Sequence, residues 1–133
     1  MRSTKHLFHL AIPTHDLAQA AAYYNNFPGC HVAREYDDRI TLNFLGDQVV
    51  CHLCPEKIDH EPAIYPRHFG ITFKERSEFD SFLQEAKKRK LLFYKECFTR
   101  FEGQPEEHAS FFLIDPSNNL LEFKYYADAS MCY

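Results

Sequence analysis

A histidine at the head of an apolar strand occurs twice in this chain, and this repeat constrains the fold more than any other feature. The two copies are His9-Leu10-Ala11-Ile12 and His68-Phe69-Gly70-Ile71. Each copy is followed by a helix-like segment and then by further strand-like segments. A chain of 133 residues with 45% hydrophobic content can bury one proper core but not two independent ones. The repeat therefore predicts a single domain, residues 1–133, made of two similar halves.

Hydrophobic periodicity divides each half into one helix and four strands, which predicts an α+β fold of two βαβββ modules. The first module covers about residues 5–54, with strands at 7–12, 31–36, 40–45 and 48–54 and a helix through 18–24. A proline-rich linker follows at 55–66. The second module covers 67–126, with strands at 68–73, 92–98, 109–114 and 120–125 and a helix from 77 to about 90.

Strand alternation places an acidic side chain inside the last apolar strand. Glu122 alternates with Leu121 and Phe123, and an unpaired carboxylate in such a segment would be costly. A divalent cation would compensate it, since two imidazoles and one carboxylate suit Fe, Mn, Zn, Ni or Co and leave positions open for a substrate. On this interpretation His9 and His68 are the imidazole ligands. The alternatives are that both are ordinary partly buried histidines, and that Glu122 pairs with a cation at position 67, 100 or 124.

His52 is a further candidate in the first half. It lies in the fourth predicted strand, so it closes the first copy where Glu122 closes the second. Its imidazole could be a fourth metal ligand or a general base. A polar loop around 100–107 is either a substrate lid or a solvent-exposed hairpin tip.

The whole chain resembles the vicinal oxygen chelate superfamily, which includes glyoxalase I, extradiol dioxygenases, fosfomycin-resistance enzymes, methylmalonyl-CoA epimerase and bleomycin-resistance proteins. The segment from Phe112 to Glu122 is similar to its ending F-x-D-P-x-G-N-x-x-E, with Asn118 in place of the usual glycine. Asn tolerates the left-handed turn that a glycine there would adopt. The resemblance implies two βαβββ modules forming open curved sheets around a central metal held by His9, His68 and Glu122.

The resemblance leaves the reaction open. The ligand set is the one used by the dioxygenases, which favours dioxygenase-type chemistry with Fe or Mn on a small substrate chelated through vicinal oxygens. Glyoxalase I usually has a carboxylate where this chain has His52. A glyoxalase-like or epimerase isomerisation with Zn or Ni, in which His52 and Glu122 act on the substrate, is the alternative. A further alternative is a bleomycin resistance-type protein that binds a drug without a metal.

Charge and composition bear on partners and location. The net charge is -4 with a pI near 6.0, and no basic tract is interleaved with aromatics, which argues against nucleic acid. No stretch predicts a membrane span and the N-terminus does not resemble a signal sequence, so we expect a cytoplasmic protein. Five cysteines without framework spacing predict free thiols. The resemblance also implies a homodimer.

Overall fold

The computed structural model describes residues 3–133 and contains eight strands and two α-helices, arranged in two compact units. Each unit holds one four-stranded mixed sheet and one helix in the order βαβββ, which confirms the predicted α+β fold class. One unit comprises the chain up to His60 together with Pro116–Asn119. The other comprises Glu61–Asp115 and Leu120–Tyr133.

The first unit packs its helix against one face of its sheet. The helix begins after Asp16, whose carboxylate accepts a hydrogen bond from the Gln19 amide at 2.9 Å and so satisfies one free donor of the first turn. Tyr24 of this helix and Phe27, which follows it, are fully buried. The elements are β1 (His9–Thr14), α1 (Leu17–Asn25), β2 (Cys30–Glu35), β3 (Arg39–Phe44) and β4 (Asp47–Leu53). Their order in the sheet is β1-β4-β3-β2, with β1 parallel to β4.

Strand β1 continues past Pro13 to Thr14, whereas the predicted strand ends at residue 12. Pro13 lies opposite His52 in the parallel ladder with β4, and Thr14 lies opposite Leu53. Proline lacks an N–H, so a strand tolerates it at the edge of a sheet, where no second neighbour needs that donor. Since β1 is an edge strand in the observed order, Pro13 costs no ladder hydrogen bond.

The second unit repeats this arrangement with more aromatic packing. Phe82 of the helix stacks on Phe123 with ring centroids 4.6 Å apart, and Phe111 lies against both rings. All three side chains are buried on the helix side of the sheet, which leaves the opposite face for other groups. The elements are β5 (Phe69–Phe73), α2 (Arg76–Lys88), β6 (Phe93–Arg100), β7 (His108–Ile114) and β8 (Leu120–Tyr126). Their order in the sheet is β5-β8-β7-β6, with β5 parallel to β8.

The short loop between β7 and β8 belongs to the first unit. Buried Ser117 places its hydroxyl 3.0 Å from that of Thr14 and accepts the His15 amide at 3.0 Å. Asn119 donates to the Pro13 carbonyl at 2.9 Å. Asn118 has φ +63°, which is the left-handed conformation predicted from its place in the loop motif.

Two further expectations concern membranes and thiols. Neither helix among residues 3–133 has the length and apolar character needed to cross a bilayer. All five cysteines are free, as their spacing predicts.

Candidate metal centre

The face of the second sheet that α2 leaves open carries the predicted ligands of that module. His68 directly precedes β5, and Gly70 lies opposite Glu122 in the parallel ladder between β5 and β8. A Cβ at Gly70 would lie 1.6 Å from the carbonyl oxygen of Glu122, so only glycine permits this close approach of the two strands. The predicted alternation is confirmed, because Leu121 and Phe123 face the buried aromatic core.

The imidazole of His68 is held by a backbone group and points at a carboxylate. Its Nδ1 lies 2.6 Å from the carbonyl oxygen of Ile64, and a carbonyl can only accept, so Nδ1 carries a proton. Its Nε2 lies 3.1 Å from Oε2 of Glu122. The ring also makes an edge contact with Phe112, with centroids 5.5 Å apart. These contacts fix both the tautomer and the orientation of the ring.

Glu122 is a nearly buried carboxylate with three polar neighbours. Its side chain is 10% exposed. Ser110 donates its hydroxyl to Oε1 at 2.7 Å, while Oε2 faces His68 and lies 3.7 Å from Nζ of Lys124. Of the cations that could pair with Glu122, Lys124 makes only this long contact. Arg100 donates to the hydroxyl of Tyr65 instead.

This pair fits part of a divalent-metal site. With Nδ1 of His68 already a donor, Nε2 either carries a second proton or turns a lone pair toward the carboxylate oxygen 3.1 Å away. Two acceptors at that distance repel, so a positive charge must sit between them, as a proton or as a metal ion. A histidine whose second nitrogen is bound to a backbone carbonyl is the usual form of a metal-ligating imidazole.

The two candidates of the first module lie at opposite ends of one ladder. His9 opens β1 opposite Gln48 and is exposed, and half-buried His52 lies opposite Pro13, four register positions further along. Ala11 has the same place in the first histidine-led strand as Gly70 has in the second. Because Val50 lies opposite Ala11 and Glu122 lies opposite Gly70, the residue that corresponds to Glu122 is Val50. The interpretation that His52 closes the first copy where Glu122 closes the second is thus off by two residues.

Among residues 3–133, no group of three or more His, Cys, Asp or Glu side chains is arranged to hold a metal ion. Within the second unit, His68 and Glu122 lie together. His9 and His52 belong to the first unit. The four-residue set therefore remains a prediction, of which two members form an observed pair.

A further histidine, His108, is buried on the open face of the second sheet. A position after two glutamates favours a solvated side chain, yet His108 is only 6% exposed. Its Nδ1 donates to the carbonyl of Glu106 at 2.9 Å, and its ring lies 4.7 Å from that of Tyr126 and 5.9 Å from that of Phe101. The alternation of β7 could have indicated this, because His108 shares a face with Ser110 and Phe112.

Comparison with known proteins decides the family. A sequence profile of the Glyoxalase/Bleomycin resistance protein/Dioxygenase superfamily matches residues 6–123. The chain belongs to this superfamily. The match spans both modules, from before the first histidine-led strand to the residue after Glu122, and it confirms the family resemblance of the sequence.

Solved structures share the fold of this superfamily member over 93% to 100% of its length. A glyoxalase/bleomycin resistance protein/dioxygenase from Alicyclobacillus acidocaldarius is 56% identical, with 100% of both chains covered and a TM-score of 0.95. A fosfomycin resistance protein from Listeria monocytogenes is 16% identical over 98% of this chain and 99% of its own, with a TM-score of 0.70. A lactoylglutathione lyase from Agrobacterium tumefaciens is 13% identical over 93% and 96%, with a TM-score of 0.66.

These likenesses carry different weight. The two low-identity structures establish the fold alone. The 56% identical protein bears only the name of the superfamily. No curated protein matches this superfamily member significantly.

Proposed function

We propose that this protein is a divalent-metal-dependent enzyme that acts on a small substrate chelated through vicinal oxygens. The observation that supports it is the pairing of His68 Nε2 with Glu122 Oε2 at 3.1 Å while His68 Nδ1 is bound to a backbone carbonyl. In this proposal His68 and Glu122 hold the metal together with His9. His9 is added on the repeated histidine-led strand and on the family resemblance, and His52 is either an additional ligand or a base.

Each residue of the pair has a role that follows from its contacts. Ser110 uses its only proton on Oε1 of Glu122, so it turns the other oxygen toward His68. The Ile64 carbonyl keeps the proton of His68 on Nδ1 and makes Nε2 available as a ligand. When bound, the metal supplies Lewis acidity for the charge that develops on the substrate oxygens.

Within this class we favour dioxygenase-type chemistry with Fe or Mn, because a set of two histidines and one carboxylate leaves positions open for both substrate and dioxygen. The alternative is a glyoxalase-like or epimerase isomerisation with Zn or Ni, in which a protein base moves a proton. The off-register placement of His52 relative to Glu122 removes one argument for it as that base. A further alternative, drug binding without a metal, makes no use of the ordered His68 tautomer.

The test is the metal content of anaerobically purified protein, measured by elemental mass spectrometry and compared with Glu122→Gln and His9→Gln. We expect about one divalent ion per chain in the wild type and a loss in both variants. Glu106→Gln, which changes an exposed loop carboxylate, is the matched control and should keep the metal. Absence of metal from the wild type after anaerobic reconstitution with Fe, Mn, Zn and Ni would overturn the proposal.

The identity of the metal then separates the reactions. Iron or manganese at stoichiometric level, with oxygen uptake in the presence of catechol-type substrates, supports the oxygenase. Zinc or nickel without oxygen uptake moves the proposal to isomerisation.

A homodimer in the cytoplasm also remains part of this proposal. Sedimentation velocity at micromolar concentration is the direct test of the assembly. A single species of 15.7 kDa, the mass of one chain, would overturn the homodimer.

A further inference from the structure

A second group of side chains continues the open face of the second sheet beyond the metal pair. It lines a cavity of about 230 Å³ that Glu122 and His68 also line. We call it the cationic pocket, and its further lining residues are Tyr65, Arg100, Phe101, His108, Lys124 and Tyr126. The sheet register explains the grouping, because Arg100 lies opposite His108, which in turn lies opposite Tyr126.

Arg100 is the main charge of this pocket and is held in place by aromatic groups. Its Nη1 donates to the hydroxyl of Tyr65, and its guanidinium carbon lies 5.2 Å from the Phe101 ring centroid and 5.8 Å from that of Tyr65. Throughout residues 3–133, no carboxylate pairs with it. A guanidinium carries five N–H donors, so most of its capacity is left for another oxygen-rich group.

Lys124 supplies the second positive charge. Its ammonium lies 3.7 Å from Glu122 Oε2, too long for a strong hydrogen bond, and 5.5 Å from the Tyr126 ring centroid. Its side chain is 29% exposed, so its charge is partly shielded from water. The whole chain has a net charge of -4, so the positive charge of this pocket is a local feature that the overall composition does not explain.

The competing explanation is that Arg100 only holds the loop that follows β6. That loop has its own contacts: the Gln104 amide donates to the Phe101 carbonyl at 2.8 Å, and the Gly103 amide donates to the Glu107 carboxylate at 2.8 Å. None of them uses Arg100. If Arg100 only stabilised the loop, an ion pair with Glu107 would serve that role, but the Glu107 carboxylate accepts the Gly103 amide instead.

We infer that Arg100 and Lys124 bind an anionic oxygen group, a carboxylate or a phosphonate, on the substrate of the metal centre. This inference rests on the proposed function for the identity of the ligand as a substrate. Arg100 offers a planar fork to two oxygens, and Lys124 offers a point charge. The cavity volume of about 230 Å³ suits a small anionic molecule. Tyr65 is a positioning residue, since it acts through Arg100.

The test is the affinity for methylphosphonate and propionate, measured by isothermal titration calorimetry on the metal-loaded protein and on protein stripped with a chelator. We expect at least one probe to bind the stripped wild type, and Arg100→Met to weaken that binding tenfold or more. Tyr65→Phe should weaken it less. Arg89→Met, which removes an exposed arginine directly after α2, is the matched control and should leave the binding unchanged.

The outcomes separate this inference from the proposed function. Binding that needs the metal and survives Arg100→Met places the anion on the metal and overturns the inference, while the metal enzyme stands. Arg100-dependent binding in a protein that takes up no metal supports the anion site and overturns the metal enzyme. If neither probe binds the stripped wild type, and stripping has left its thermal stability unchanged, the inference is overturned. The relative affinities for the two probes show whether the group is tetrahedral or planar.

Discussion

Gly70 and Glu122 lie opposite each other in adjacent parallel strands, so close that a methyl group at Gly70 would lie 1.6 Å from the Glu122 carbonyl oxygen. The backbone that carries the proposed ligand is therefore positioned by the absence of a side chain on the neighbouring strand. A substitution there cannot be relieved by rotating a side chain, because the obstacle is main chain.

We predict that Gly70→Ala pushes β5 away from β8 and lowers the free energy of unfolding by about 1–3 kcal/mol, with a loss of metal affinity. Gly103→Ala is the control. Nothing lies within 4 Å of a Cβ there, so only the cost of its φ of +77° is expected, roughly 1 kcal/mol. Chemical denaturation and metal titration measure both effects. Equal behaviour of the two variants would contradict the argument.

Ser110→Ala should weaken metal binding without removing it. The substitution frees Oε1 of Glu122, so the carboxylate loses the hydrogen bond that orients it. Loss of such a supporting partner typically lowers metal affinity by about 10-fold to 100-fold. Competition with a chelating dye measures the change. An affinity within twofold of the wild type would show that Ser110 does not orient the carboxylate.

Phe82→Ala should be among the most destabilising single changes. Phe82 packs against the buried rings of Phe111 and Phe123 and the half-buried ring of Phe73, and its removal leaves a cavity that a sheet and a helix cannot close. The expected loss is about 3–5 kcal/mol in the free energy of unfolding by urea. Leu92→Ala is the control, since Leu92 is 67% exposed, and should change stability by about 0.5 kcal/mol or less.

Thiol modification should distinguish Cys97 from Cys30. Burial raises the pKa of the Cys30 thiol from 9.0 to about 12, so it carries almost no thiolate at neutral pH. Burial also raises the pKa of Cys97, but Cys97 is exposed to reagent. Alkylation with iodoacetamide at pH 8, followed by peptide mass mapping, should label Cys97 first and Cys30 only in denaturant. Early labelling of Cys30 would contradict its observed burial.

The same burial predicts a dependence of stability on alkaline pH. A thiol whose pKa is higher in the folded state contributes fully below its unfolded pKa of 9.0, and the contribution is lost as pH rises toward about 12. Comparison of Cys30→Ala with the wild type between pH 8 and 11 isolates it. The wild type should lose more stability over this range than the variant.

Strands and helices were predictable from the sequence where local hydrophobic periodicity determines them. They were less predictable where the pairing of distant strands determines them. The strand with Glu122 was predictable, because alternation with apolar neighbours is written in the local pattern. The end of β1 was not, since tolerance of Pro13 depends on β1 being an edge strand. Sheet order and register are properties of non-local pairs that a single strand does not encode.

The candidate site shows the same division. His68 and Glu122 were predicted from strand position and the ending motif, and they lie together. Ser110 was missed because its contact with Glu122 depends on the register of β7 against β8. His52 was equated with Glu122 because each lies in the last strand of its module, but the register shows that Val50 holds the place of Glu122.

The loop at Pro116–Asn119 has a consequence for the order in which the protein is made. A ribosome that has released the first sixty residues has supplied every strand of the first sheet and its helix. It has not yet supplied the Ser117 hydroxyl that Thr14 and His15 contact, nor the Asn119 amide that reaches Pro13. The first module to be synthesised is thus completed only after Asn119 has been added, and a stop codon between the two modules damages both.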